Sequence, residues 1–464
     1  MDQEQNIVII GGMACGPKTA ARARRRDRGA RITMVEQGPT VSEGSCGLPY
    51  YVGGQITSEK ALLIRTPQQF KEASNIDVLG WTRATRIDRE AHKVEVTNLT
   101  TGATSSLPYD KLVIATGAVP LVPASLEGTD LKGVFTLTKI DDANKIIAAL
   151  ASPGATKAVV VGGGLIGMEA AEAFLERGLD VTVVEALPHV LPGLLDEDMS
   201  ANVEKELVDK GVHLHTSHRV VRLEGNEQGR VRKVITEKDS IEADVVLLAL
   251  GFRANVALAK DAGLEIGPLG GITVDESLRT SDPDIYAGGD CVENVQRVTG
   301  KQIFAPMGST ANKHGRIIGT NITGGHDTFP GVVGTAVAKV FSLSVGRVGL
   351  SETQAREAGF EPIVVSGKGR DRAGYYPGAL DINVKLVADA STGRILGAQL
   401  FGTGDVSKRL DVLVTAISAE STVDDMANLD LAYAPPYSQA MDVLHDLANV
   451  VRGKMESASA DRST

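Results

Sequence analysis

The chain has 464 residues, 42% apolar and 23% charged, which sets the expectation of a soluble globular protein of two to four domains. A formal charge of −10 and an aromatic content of only 4% argue against nucleic acid and anionic membrane surfaces as partners. The opening residues carry no basic leader or signal-peptide core, the apolar runs are too short to span a bilayer, and three cysteines make no disulfide framework, so a cytoplasmic protein is expected.

Asn6–Ile10 reads as a short buried strand. The glycine-rich turn Gly11-Gly12-Met13-Ala14-Cys15-Gly16 follows it, then a helix over residues 19–28 and a strand at Arg31–Val35 that ends in Glu36. That is one βαβ unit. A loop containing Ser42, Glu43 and Gly44 leads to Ser45-Cys46-Gly47-Leu48-Pro49-Tyr50-Tyr51. Residues 111–115 read as a buried strand running into Thr116-Gly117. The same grammar returns with a strand at 158–161, a turn at 162–167, a helix at 168–177 and a strand at 181–184 ending in Glu185. Residues 245–250 read as another buried strand, and 284–287 run into Gly288-Gly289-Asp290. After about residue 330 the pattern changes to alternating strands at 382–387 and 395–401 and helices at 406–420 and 438–451. The Ser/Ala/Asp-rich end, 453–464, reads as a disordered tail.

Gly162, Gly164 and Gly167 satisfy G-x-G-x-x-G between a strand and a helix. Such glycines permit a tight turn, close approach of backbone to a pyrophosphate, and close packing of helix on strand. The helix N-terminus adds free amide donors and partial positive charge. Glu185 stands 23 positions after Gly162, where a carboxylate binds ribose hydroxyls and repels a 2′-phosphate; NADH is therefore expected, with NADPH as the alternative. A ligand-free glycine turn would not need the strand, helix and acid together. The first turn, with Gly11, Gly12 and Gly16, is imperfect because Met13 replaces the middle glycine, but Glu36 lies 25 positions after Gly11 as a second ribose ligand. Asp290 is placed to bond a sugar-like hydroxyl chain; as an isolated residue it would be a solvated turn aspartate.

Cys46 follows one dinucleotide turn and precedes the other, which suggests a thiol exchanging electrons with a flavin fed by a nicotinamide. The position five residues on is Tyr51, so no local disulfide can form. The thiol must cycle as a thiolate, a mixed disulfide, a persulfide or a sulfenic acid. The alternative is a buried structural cysteine, but the glycine-flanked turn favours a redox role and a helix start that lowers the thiol pKa. Cys15 and Cys291 read as small packing residues, and His445 as a helix-surface residue. The cysteine spacing matches no zinc site, and no metal is expected. The arginines at 22, 24, 25, 26, 28 and 31 read as a solvated helix surface, with phosphate binding weighed for Arg22 alone.

These motifs, with Ala115-Thr116-Gly117, the segment 286–290 and Tyr433-Ala434-Pro435-Pro436-Tyr437, make residues 6–452 resemble the pyridine nucleotide-disulfide oxidoreductases. Within them the match is to the single-cysteine branch of coenzyme A-disulfide reductases, NADH-dependent persulfide reductases and NADH oxidases. The resemblance implies an α/β fold of two Rossmann-like dinucleotide-binding domains plus a C-terminal α+β dimerisation domain. It implies FAD on residues 1–120 and 250–325, NAD(P)H on 121–249, and dimerisation through 330–452. Thr116, Gly117 and Gly289 join the flavin ligands. Tyr375 and Tyr433 match tyrosines that reach the redox cysteine from the partner subunit; their alternative is interface packing. Ser42 would help hold the thiolate, and Arg22 and Lys71 match positions associated with CoA phosphates. Ser45 departs from the Asn common in this branch, residues 442–449 depart from the usual CoA-reductase ending, and no room is expected for the rhodanese domain fused to some relatives. The expected activity is NAD(P)H-dependent reduction of a small disulfide, persulfide or polysulfide through Cys46 by a homodimer, the alternative being reduction of oxygen or peroxide.

Overall fold

The computed structural model describes residues 4–462. The first sheet is five-stranded and parallel, in the spatial order Ile285–Ala287, Lys111–Ile114, Asn6–Ile10, Arg31–Val35, Asp77–Leu79. Its strands are continuous apolar runs because both faces are covered. Ile7, Ile9, Ile32 and Met34 face one core, shared with the helices Cys15–Arg26 and Gly308–Asn321. Val8, Ile10, Val35 and Leu112 face another.

The second sheet is also five-stranded and parallel: His213–His215, Asp180–Val184, Lys157–Val161, Val245–Leu248, Val134–Phe135. In both units the chain's first three core strands and the next one lie in the order 3-2-1-4. The outer position is taken by a later strand in the first unit and by an earlier one in the second. Each unit also carries a three-stranded antiparallel insertion between its third and fourth strands. These are Thr82–Asp88, Lys93–Asn98 and Thr104–Pro108 in the first, and Val220–Gly225, Val231–Thr236 and Ser240–Glu242 in the second. The chain crosses between units through Ala118–Pro120 and back through Phe252–Ala254, which pair antiparallel.

The third sheet is antiparallel, in the order Ala336–Val340, Leu343–Gly349, Ile395–Gly402, Asp381–Asp389, Pro362–Arg370. The helices Ser407–Ser418 and Val443–Arg462 pack against it. Two sequence expectations are corrected here. The segment read as a disordered tail continues as helix through Arg462, because Met455 packs on the C-terminal core and Lys454 Nζ bonds the Val364 carbonyl at 3.3 Å; residues 463–464 lie outside the described residues. His445 is buried rather than on the surface: its Nε2 lies 2.8 Å from the Leu429 carbonyl, and Nδ1 accepts from Asp442 N–H at 3.3 Å.

Candidate active site

The two dinucleotide turns are built alike, atom by atom. Gly11 and Gly162 have φ of +114° and +112°, a region closed to most side chains. A Cβ on either would lie 2.0 Å from the Ala115 carbonyl oxygen or 2.3 Å from that of Ala249. At Gly16 and Gly167 a Cβ would meet the carbonyl oxygen of the first glycine at 1.9 and 2.0 Å. The helix therefore comes close to the strand only with glycine at these positions. The carboxylates repeat too. Glu36 Oε2 accepts from Gly12 N–H at 2.9 Å and Oε1 from Gly38 N–H at 2.8 Å. Glu185 Oε2 accepts from Gly163 N–H at 2.7 Å and Oε1 from Leu187 N–H at 2.8 Å. Both are nearly buried.

Met13 and Gly164 occupy the same place in the two turns. A Cβ at Gly164 would meet nothing within 4 Å. The fold itself does not need glycine there, so the first turn accommodates Met13. The open space at Gly164 suits a ligand phosphate that approaches the backbone.

Ser42 N–H donates to the Gly12 carbonyl at 2.7 Å, and its φ of +57° is unusual for a residue with a side chain. Leu191 does the same to Gly163 at 2.8 Å with φ +51°. Ser42 thus holds the loop that leads from the first turn to Cys46. Thr116 Oγ1 donates to the Asn255 carbonyl at 2.6 Å, and Gly117 accepts from Asn255 N–H at 2.9 Å, so both brace the crossing between units. Gly289 N–H donates to His314 Nδ1 at 3.1 Å. His314 is buried, and burial pushes its pKa down to about 4, which keeps the ring neutral and able to accept. Burial alone raises Asp290 to about 6, with no cation offsetting it among the described residues. A hydrogen-bond donor such as a ligand hydroxyl would satisfy that carboxylate. Both turns thus fit dinucleotides, and the first, with Asp290, fits one carrying a polyhydroxylated chain.

Cys46 lies on the short turn of helix Ser45–Gly47, which runs directly into the helix Leu48–Gly53. That helix buries Leu48 and Val52 in the core shared with Leu165–Glu176, the helix opened by the second turn. All three cysteines are free; Cys46 is exposed and Cys15 and Cys291 are buried. Tyr51 is tied to Asn144 Oδ1 at 2.9 Å. The expected lowering of the Cys46 pKa is corrected: it is raised, by desolvation first, then by the charges of Glu169 and Asp290. Two short turns of helix do not outweigh desolvation and two carboxylates.

Sequence reading missed Glu169. It sits on the second-turn helix and accepts a hydrogen bond from Tyr50 Oη at 3.3 Å. Its own pKa is raised by burial; Tyr50 is pushed up to about 12, first by its own burial and then by the Glu169 charge. The only sequence signal was an acid on the otherwise apolar start of that helix. Lys139, also missed, reaches Glu36 Oε1 at 3.3 Å.

Tyr375 and Tyr433 come together although 58 residues apart: their hydroxyls are 3.3 Å from each other, and both rings are exposed. The hydrogen bond to Tyr433 raises Tyr375. Arg22 Nε bonds Thr320 Oγ1 at 2.9 Å, and Lys71 pairs with Asp77 at 2.7 Å. Arg24, read as solvated, instead binds the Ser74 and Asn75 carbonyls at 2.9 Å and closes the end of the helix Pro67–Ser74.

Two parallel dinucleotide-type sheets, a free cysteine between their turns and an antiparallel C-terminal domain define a two-nucleotide oxidoreductase. The chain belongs to the pyridine nucleotide-disulphide oxidoreductase family, whose model matches residues 5–303, with the family's dimerisation domain matching residues 335–445. The NAD(P)H coenzyme A polysulfide/persulfide reductase of Pyrococcus horikoshii is 36% identical over 97% of this chain and 99% of its own length. The NADH oxidase of Methanocaldococcus jannaschii is 35% identical over 94% of this chain and 96% of its own. The solved NAD-dependent persulfide reductase from A. fulgidus is 48% identical, with a TM-score of 0.95, over 98% of this chain and 84% of its own. Among the described residues no helix is long and apolar enough to cross a membrane.

Proposed function

We propose that the chain is an NAD(P)H-dependent flavoprotein that reduces a small-molecule disulfide, persulfide or polysulfide, CoA-linked, through Cys46. The observation that carries this reading is an exposed free thiol set between two dinucleotide turns with no second cysteine beside it. Gly11, Gly12, Gly16, Glu36, Thr116, Gly117, Gly289 and Asp290 would hold FAD. Gly162, Gly164, Gly167 and Glu185 would hold NADH. When bound, the pair supplies two electrons, as hydride from the nicotinamide passing through the flavin.

The Cys46 thiolate attacks one sulfur of R–S–S–R′, forms Cys46–S–S–R and expels R′S⁻; with a persulfide it expels HS⁻. Two electrons then cleave the Cys46 disulfide, regenerate the thiolate and release RS⁻, and the two expelled sulfurs take up protons. Glu169, whose pKa is raised by burial and whose charge acts on the thiol, is the nearby carboxyl that could relay a proton. Ser42 positions the loop. We further propose a homodimer in which Tyr375 and Tyr433 protonate the departing sulfur at the Cys46 of the partner subunit, with Arg22 and Lys71 on the CoA phosphates. A reducing cytoplasm suits an exposed functional thiol.

A second reading, reduction of oxygen or peroxide through a Cys46 sulfenic acid, is favoured by the likeness to an NADH oxidase. One experiment separates the two: anaerobic mass spectrometry of the purified protein before and after NADH. A CoA-sized adduct on Cys46 that NADH releases is the expected result. An oxygenated Cys46, with NADH consumed in air without any sulfur substrate, supports the oxidase. Full disulfide and persulfide turnover by Cys46→Ser would overturn the first reading, and full NADH consumption in air by the same variant would overturn the second.

A further inference from the structure

We infer that His215, His218 and Asp239 form a binding site for one divalent transition-metal ion, zinc in the first instance, beside the second dinucleotide unit. His215 ends the strand His213–His215, His218 lies three residues on, and Asp239 sits in the turn between Val231–Thr236 and Ser240–Glu242. One donor atom from each falls within 4.8 Å of the other two. His218 Nε2 is 3.0 Å from Asp239 Oδ2, and His215 Nδ1 is 3.7 Å from the same oxygen. Donors around a tetrahedral zinc ion, each about 2.0–2.2 Å from the metal, stand roughly 3.3–3.6 Å apart. Both histidine–carboxylate spacings lie within a few tenths of an ångström of that range, and the two histidine nitrogens lie within 4.8 Å of each other.

The hydrogen-bond geometry of His218 accommodates an ion. His218 Nδ1 lies 2.7 Å from the Thr216 carbonyl oxygen, while Nε2 faces the Asp239 carboxylate. A neutral imidazole has one N–H and cannot donate to both. In the tautomer with its proton on Nδ1, the Nε2 lone pair and the Asp239 carboxylate face each other and can share a cation. A backbone carbonyl on the second nitrogen is also the usual way a metal-binding histidine is oriented.

The ligands are held before any ion arrives. Asp239 N–H donates to Thr236 Oγ1 at 2.8 Å, and Thr236 N–H to the Asp239 carbonyl at 2.9 Å. Glu237 N–H donates to the Arg219 carbonyl at 3.0 Å, tying the two loops together. Two nitrogens and one carboxylate oxygen, with one open position for water, suit zinc and its first-row neighbours better than magnesium or calcium. The ion would clamp the segment 215–218 to the turn 236–239. Glu185 is bonded to that segment at both its backbone groups, N–H to the His215 carbonyl at 2.8 Å and carbonyl from His218 N–H at 2.9 Å.

The test is a zinc titration, against a chromophoric chelator, of flavin-loaded full-length protein stripped of metal. It is done in a Cys46→Ser background, so that the exposed thiol does not compete. The expected result is one equivalent of zinc bound, with a rise in melting temperature. His218→Ala and Asp239→Asn, each added to that background, should weaken binding at least about tenfold and abolish the thermal shift, as loss of a ligand does. His213→Ala, whose partner is Asp180, should leave both unchanged. No zinc uptake by the Cys46→Ser protein, or equal affinity in the His218 and Asp239 variants, would overturn the inference. Neither result depends on what Cys46 reduces.

Discussion

Replacing Glu169 by Gln removes one of the two charges that hold the Cys46 thiol above its ordinary pKa. The folded Cys46 loses its proton later than a free cysteine as pH rises, and the variant should lose it earlier. Iodoacetamide alkylation of Cys46 in the apoprotein at pH 7.5 is therefore expected to run a few-fold faster in Glu169→Gln, with the pH–rate curve displaced to lower pH. Asp290 presents the opposite sign in stability. Its carboxyl is raised from 3.8 to about 6 in the folded protein. The stabilisation it contributes is complete below the unfolded value and is lost as pH climbs through the folded one. Asp290→Asn apoprotein should accordingly be more stable than the parent at pH 8, by at most about 3 kcal/mol of unfolding free energy, with no difference near pH 4. The same variant should bind FAD more weakly. A calorimetric series from pH 4 to 8 reads the first effect and a flavin titration the second.

At the scale of elements, the two glycine turns separate what the fold needs from what a ligand needs. Gly164→Ala adds a methyl into open space and should change unfolding free energy by less than about 0.5 kcal/mol while weakening NADH binding. Gly167→Ala drives a methyl against the Gly162 carbonyl and should cost about 1–3 kcal/mol even without NADH. Denaturant melts of both variants decide it. These turns were legible in the sequence because their glycines, flanking strand and terminal acid all lie within one local unit. Glu169 was not legible, because its nearness to Cys46 depends on the packing of Leu165–Glu176 on Leu48–Gly53, segments more than a hundred residues apart. The Cys46 pKa failed for the same reason. The helical end of Val443–Arg462 escaped notice because its polar composition suits an exposed tail equally well, and only Met455 and Lys454 touch the rest. The resemblance brought Tyr375 and Tyr433 forward together, although nothing in their spacing says that their hydroxyls meet.

For the whole molecule, the proposed sharing of tyrosines between subunits predicts complementation in trans. Cys46→Ser and Tyr433→Phe homodimers should each be strongly impaired. After subunit exchange, a one-to-one mixture contains about half mixed dimers, each with one intact site, so activity should recover to about a quarter of the parent. No recovery, with exchange verified by mass, would place Tyr433 beside the cysteine of its own chain, and an unimpaired Tyr433→Phe homodimer would place it outside the reaction.

The paired strands Ala118–Pro120 and Phe252–Ala254 mark where the second dinucleotide unit is inserted into the first. This nesting fixes an order of completion at the ribosome. Every strand of the inner sheet lies between Val134 and Leu248, whereas the outer sheet waits for Ile285–Ala287 at its edge. Domains tend to fold as units while the chain emerges. The part of the protein that begins second is thus the part that can finish first, and a released fragment ending near residue 270 would expose an unpaired edge of the outer sheet beside a complete set of inner strands.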